Sequence, residues 1–139
     1  MTRKHLVTVA SLGLFFMVMI IINIQIVNGN LAPKKQSLYD LATNVLMIHT
    51  VALLATAFMN RYLSRSNLKA IFYFFSLGSV AFSAPLYLLA TDEVTNITLG
   101  ILKPVALIGA IALMIGWLVL LYTGFTYKHK KRAIHNQSK

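Results

Sequence analysis

The sequence predicts an all-α fold: a single domain, residues 1–139, that forms an integral membrane four-helix bundle. The chain is 58% hydrophobic and 12% charged, whereas about a quarter of the residues of a water-soluble domain are charged. Four stretches supply the roughly 20 mainly apolar residues that a helix needs to cross a bilayer core of about 30 Å. Charged residues lie in short clusters between these stretches. Together these observations argue against a water-soluble protein.

The predicted spans are residues 6–27, 39–59, 70–90 and 104–125. The turn-forming sequence NGNLAPKKQS closes the first span, and polar segments follow the second and the third. Pro104 suits the first turn of the fourth helix, because its missing N–H would be unpaired there in any case. The first apolar stretch exceeds the about 7–15 residues of a signal peptide and lacks a small-residue cleavage site, so we expect it to be retained.

Basic residues are distributed unevenly between the two sides that four spans define. Ten Lys and Arg fall with the termini and the central loop, whereas Lys34, Lys35 and Lys103 fall on the other side with all three acidic residues. Because cytoplasmic loops hold the excess of Lys and Arg, we expect both termini in the cytoplasm, or in the matrix of an organelle. The cluster in the basic tail, residues 126–139, consists of Lys128, Lys130, Lys131 and Arg132.

The formal charge of +10 suggests two classes of partner, nucleic acid and an anionic membrane surface. No basic stripe interleaved with exposed aromatic residues is present, so we expect no nucleic-acid partner. The tail cluster is typical of a flank that fixes orientation, and contact with anionic lipid headgroups is the alternative.

Rows of small and polar residues predict the faces on which the helices meet. They are Gly109, Ala112 and Gly116 in the fourth span and Ser76, Ser79, Ser83 and Tyr87 in the third. Helix association in lipid depends on close packing and a few side-chain hydrogen bonds, so we expect both rows to face other helices. A pore lining is the alternative for the serines. Within the third helix, Pro85 removes one backbone hydrogen bond and predicts a bend.

The segment LMIHTVALL, residues 46–54, places His49 half way along the second span. We expect a neutral imidazole that is hydrogen-bonded to a serine, a carbonyl or an asparagine of an adjacent helix. Contact with a lipid or quinone headgroup is the alternative. Proton transfer and haem or metal binding are disfavoured, because the chain has no cysteine, the spans carry no deep acid, and His5, His129 and His135 are expected at or beyond the cytoplasmic surface. We therefore expect no cofactor and no metal site.

Three segments of the chain resemble the small four-helix membrane family called domain of unknown function 423. They are IHTVALL at 48–54, FSLGSVAFSAPLYLLA at 75–90, where the family shows FSGSLY, and KPVALIGAIALMIGW at 103–117, where it shows TPxGG and a late GW. The resemblance is strongest over residues 48–117. Two departures stand out: INIQIVNGN at 22–30 replaces the expected GAFGAH, and Ala106-Leu107 replaces the double glycine.

The resemblance implies a fold and a membrane location but no established activity. Its motif residues would be His49, Phe82, Ser83, Leu86, Tyr87, Pro104, Gly116 and Trp117. The family occurs in bacteria and has relatives in animal mitochondria. We therefore expect the bacterial cytoplasmic (inner) membrane, with the mitochondrial inner membrane as the alternative.

The function that we expect is that of a non-catalytic accessory subunit, packed against a larger membrane complex such as a respiratory one. Glycine-rich phosphate loops, HExxH and GxSxG motifs are absent from the sequence, so we expect no enzyme. The alternatives are a lipid- or quinone-binding protein and an oligomeric transporter or channel for a small solute. Expected partners are the lipid bilayer and other membrane subunits or further copies of the chain. The expected lipid or partner contacts are His49, Ser83, Tyr87, Gly109, Gly116 and Trp117.

Overall fold

The computed structural model describes residues 2–27, 29–59, 64–92 and 100–126, which form four long helices. The helices are α1 (Thr2–Ile22, extended by the π-helical segment Asn23–Val27), α2 (Pro33–Phe58), α3 (Arg65–Ala90) and α4 (Leu102–Thr126). Each is long and apolar enough to cross a membrane, which confirms the prediction of an all-α, four-helix protein. The predicted tail cluster, Lys128, Lys130, Lys131 and Arg132, lies outside the described residues, as do His129 and His135.

All four helices begin earlier than the apolar spans suggest, and α2 and α3 do so by the largest margins. Helix α2 begins at Pro33, a residue that fits the first helical turn, directly after a turn in which Gly29 has a φ of +83°. Helix α3 begins after Ser64, whose hydroxyl accepts a hydrogen bond from the backbone N–H of Asn67. Part of the expected loop at residues 28–37 is therefore helical, because caps set a helix start and hydrophobicity does not.

Successive helices run antiparallel. Tyr39 of α2 donates its hydroxyl to the carbonyl of Met19 in α1, and Ser83 of α3 donates to the carbonyl of Ala42 in α2. Near the other end of the bundle, Asn67 of α3 donates to Thr123 of α4. The start of α1 and the end of α4 consequently share one end, which we call the terminal end. The opposite end is called the Lys35 end.

Two groups of buried apolar side chains form the core, one above the other along the bundle. The group toward the terminal end comprises Val9, Leu12, Leu46, Leu53, Ile71, Phe75 and Leu113. The group toward the Lys35 end comprises Val27, Tyr39, Ala42, Leu86, Tyr87, Ala90 and Ala106. Helix α3 contributes to both groups and is the most buried helix, whereas α1 is the least buried. Helix α3 is therefore the centre of the packing.

Large apolar side chains cover the outside of all four helices. Examples from the four helices in turn are Leu14, Val51, Leu77 and Ile108, each more than 60% exposed. An aqueous protein rarely leaves a contiguous apolar surface of this extent open to water. Hydrocarbon is the solvent that such a surface suits, so the chain is a multi-pass membrane protein.

Helices α3 and α4 approach each other most closely, and glycines make the approach possible. A Cβ added at Gly109 would lie 2.6 Å from the carbonyl carbon of Ala81 and 2.8 Å from the Cα of Phe82, both backbone atoms that cannot move aside. One at Gly116 would lie 2.6 Å from the ring of Phe75. The row of small residues predicted in the fourth span thus faces α3.

Replacing Gly109 by alanine should destabilise the protein by about 1–3 kcal/mol, because the added methyl group meets backbone across the α3–α4 contact. The measurement is the free energy of unfolding in mixed detergent micelles, followed by circular dichroism. Gly124→Ala is the matched control, since nothing lies within 4 Å of its Cβ position and alanine favours a helix. Equal stability of the two variants would contradict the close approach.

Candidate functional site

An aromatic cluster surrounds the buried His49 near the middle of α2, and we call it the His49 cluster. His49 is 7% exposed and lies in α2 at 5.4 Å from the ring of Phe75 in α3, between ring centroids. The indole of Trp117 in α4 lies 6.0 Å from the imidazole and 5.2 Å from Phe75. The cluster therefore joins three helices through ring contacts near edge-to-face geometry, which stabilises aromatic pairs.

Both nitrogens of His49 are hydrogen-bonded within the bundle. The indole N–H of Trp117 lies 3.1 Å from Nε2, and the carbonyl oxygen of Val45 lies 2.7 Å from Nδ1. An indole N–H only donates and a carbonyl only accepts, so Nε2 must accept and Nδ1 must carry the proton. His49 is consequently neutral in this arrangement, with the tautomer fixed by its two partners.

The sequence predicted the neutral imidazole but not its partners. It led us to expect a serine, carbonyl or asparagine of an adjacent helix, whereas the partners are Trp117 and the carbonyl four residues earlier in the same helix. The signal that was missed is the depth of Trp117. An indole a turn or two inside a span needs an acceptor for its N–H, and the imidazole is a suitable one.

The lone pair that a metal or haem iron would need on His49 is the one that accepts the bond from Trp117. Among the described residues, no group of three or more His, Asp or Glu side chains comes together in a way that could hold a metal ion. A second histidine, His5, lies in the first turn of α1 at the terminal end of the bundle. His5 is 2% exposed and packs edge-on against Phe72 at 4.1 Å, inside the bundle rather than at its surface.

A second polar group joins α1, α2 and α3 toward the Lys35 end. Thr43 donates its hydroxyl to the carbonyl of Tyr39 at 2.9 Å, so the hydroxyl of Tyr87, 3.1 Å from Thr43, must donate to it. Ser83 donates to the carbonyl of Ala42 at 3.0 Å. Ser83 and Tyr87, both predicted as contact residues, thus lie on the α2–α3 contact. The bend predicted at Pro85 stays a prediction.

The other predicted serines satisfy themselves within their own helix. Ser76 donates to the carbonyl of Phe72 and Ser79 to that of Phe75, each four residues earlier. Such bonds remove the hydroxyl from competition for other partners. The hydroxyl proton of each serine is therefore already used within α3, and only the oxygen could still accept a hydrogen bond.

Charged and amide side chains gather at the Lys35 end. Lys35 forms an ion pair with Asp92 and also donates to the carbonyl of Leu89 at 3.0 Å, in the last turn of α3. Asn23, in the π-helical segment, donates to Asp40 at 3.0 Å. These contacts fasten the ends of α1 and α3 to the start of α2.

A polar strip continues from this end along the outer face of α2. It consists of Gln36, Asp40 and Asn44, which are four residues apart and therefore follow one side of the helix. The strip lines a shallow groove of about 590 Å³ together with Ser37 and Leu41. Gln36 donates to Asn23 at 3.2 Å, whereas the exposed amide of Asn44 makes no hydrogen bond to another described residue.

A family model described as "Protein of unknown function (DUF423)" matches residues 26–110. The matched stretch contains His49, Ser83, Tyr87 and Gly109 and ends before Trp117. Neither the curated proteins nor the solved structures contain a significant match to the chain.

The bond between Trp117 and His49 should appear as a coupling energy of about 1 kcal/mol, typical of side-chain hydrogen bonds between helices in membranes. The measurement is a double-mutant cycle with Trp117→Phe and His49→Leu, followed by circular dichroism during unfolding. Thr50→Val combined with Trp117→Phe is the control pair, because Thr50 bonds to the carbonyl of Leu46 in its own helix. Additive effects of the first pair would contradict the bond.

Proposed function

The chain belongs to the DUF423 family, which is a family of unknown function, and we propose that it is a non-catalytic accessory subunit that packs inside the membrane against a larger membrane protein complex. The observation that carries the proposal is the exposed amide of Asn44. Its position on α2 gives a surface that lipid alone does not suit.

Asn44 lies inside the predicted second span, residues 39–59, about 8 Å from its start at a rise of 1.5 Å per residue. The helix has 26 residues, and with a rise of 1.5 Å per residue Asn44 lies about 16 Å from its first residue. Because the first residues of α2 precede the apolar span, Asn44 lies within the hydrocarbon core but nearer to the Lys35 end than His49 does. The side chain is exposed there, between the apolar and exposed residues Leu41 and Ile48.

An exposed amide at this depth favours a protein neighbour. A primary amide that loses water and gains no hydrogen bond costs at least about 1–3 kcal/mol, and hydrocarbon chains offer neither donors nor acceptors. A polar side chain of a neighbouring helix supplies both. Asp40 and Gln36 extend the same face toward the Lys35 end, so a partner helix that lies along α2 meets three polar positions in sequence.

The rest of the surface supports a structural role rather than a catalytic one. Polar side chains inside the bundle form hydrogen bonds between helices, as at His49 and Tyr87, or within their own helix, as at Ser79. The distribution of Lys and Arg in the sequence supports the placement of both termini in the cytoplasm of a bacterial inner membrane, or in the mitochondrial matrix.

Asn44→Leu should release the partner complex, with about a ten-fold loss of co-purified companion, because one interhelical amide bond is worth about 1–2 kcal/mol. The measurement is native mass spectrometry of the full chain, isolated from its own membranes in mild detergent. Asn44→Gln, which keeps the amide, is the matched control and should retain the companion.

Three outcomes contradict the proposal. The first is a chain that is released alone at its own mass of 15.5 kDa. The second is a companion that consists solely of further copies of the chain, which would indicate self-association instead. The third is a companion that Asn44→Leu retains as well as Asn44→Gln does, since the amide would then have no part in the contact.

A further inference from the structure

A cavity of about 690 Å³ opens at the Lys35 end, between the first turns of α2 and α4 and the last turns of α3. Its walls are apolar and include Leu38, Leu86, Leu89 and Ala106. Cavities of about 300–1,000 Å³ are the usual size of sites that hold a small molecule. The strip of Gln36, Asp40 and Asn44 does not line the cavity, although Lys34 and Leu38 line both the cavity and the groove beside that strip.

The rim of the cavity is positively charged. Lys34, Lys35 and Lys103 line it, and Asp92 is the acidic residue among its lining residues. Lys35 is committed to Asp92 through the ion pair and to the carbonyl of Leu89. Lys34 and Lys103 are exposed, and neither forms an ion pair with a described acidic side chain. Within the described part of the chain, no acidic side chain therefore balances these two positive charges.

The helices that carry these lysines increase the positive potential. Lys34 and Lys103 lie in the first turns of α2 and α4, where the helix dipole is positive and acidic residues are usually found. Neither first turn contains an acidic residue. An anion at the mouth would compensate both the lysines and the two helix ends.

We propose that the cavity binds one anionic phospholipid, with its phosphate at Lys34 and Lys103 and an acyl chain along Leu38, Leu86 and Leu89. A soluble anion would match the lysines but would leave the leucine walls uncovered. A zwitterionic lipid would match the walls but would bring its own cation to the lysines. The position at the end of membrane-spanning helices is the depth at which headgroups lie.

The test uses the purified full chain in detergent micelles and needs no partner protein. Native mass spectrometry counts the lipid that is retained after titration with phosphatidylglycerol or, separately, with phosphatidylcholine. The variant is Lys34→Gln with Lys103→Gln, which removes the two charges that no described acidic side chain balances and leaves the Lys35–Asp92 pair intact. The matched control, Arg65→Gln with Lys69→Gln, removes two exposed charges in the first two turns of α3, at the terminal end. Circular dichroism verifies the helical content of each variant.

We expect the unmodified chain to retain phosphatidylglycerol in preference to phosphatidylcholine. The Lys34 and Lys103 variant should bind it about 25-fold more weakly, since each lysine near an anionic lipid contributes roughly a factor of five. The control variant should bind as the unmodified chain does.

Equal retention of the two lipids by the unmodified chain would overturn the proposal, whatever the variants do. An equal loss in the control variant would overturn it as well, because the attraction would then be a property of the overall charge. The last experiment adds inorganic phosphate to the chain with phosphatidylglycerol bound. If millimolar phosphate displaces phosphatidylglycerol completely, the site binds a soluble anion and the lipid assignment is wrong.

Discussion

The close approach of α4 to α3 is the constraint on which the rest of the interior depends. Gly109 and Gly116 let the two helices come together until a methyl group no longer fits between them. At that separation Trp117 reaches across to His49 in α2. A wider spacing would leave an imidazole and an indole N–H without partners in a region that contains no water, which is costly. The close packing at the glycines is therefore what allows Trp117 and His49 to form their hydrogen bond.

Hydroxyl groups along α2 and α3 are also hydrogen-bonded inside the bundle. Thr43, Ser79 and Thr50 return their hydroxyl protons to carbonyls of their own helices, and Ser83 and Tyr87 use theirs between helices. What remains for other molecules lies on the outside: the Asn44 face of α2 and the lysine-rimmed cavity. These two surface features of the described residues are the observations on which the proposed subunit contact and the proposed lipid site rest.

Much of this arrangement could be predicted from the sequence. Four apolar stretches gave four helices, because only a helix satisfies its backbone in lipid, and the spacing of Gly109 and Gly116 identified the face of α4 that meets α3. Helices α2 and α3 extend beyond the predicted spans at their starts, since Pro33 and Ser64 determine those starts locally. The burial of His5 and the bond from Trp117 were missed because they depend on which helices become neighbours. Helical periodicity shows which residues share one face of a helix, but it does not show which other helix packs against that face.

The hydrogen bonds of His49 to Trp117 and to the carbonyl of Val45 fix the tautomer of its imidazole, which can be measured directly. Solid-state NMR of the ¹⁵N-histidine-labelled chain in lipid bilayers at neutral pH, with His49→Leu to assign the signals, reads it out. A neutral imidazole is expected, with the proton on Nδ1 and an unprotonated Nε2 that accepts the bond from the Trp117 indole. A charged imidazolium, or a proton on Nε2, would contradict the closed interior described for the bundle.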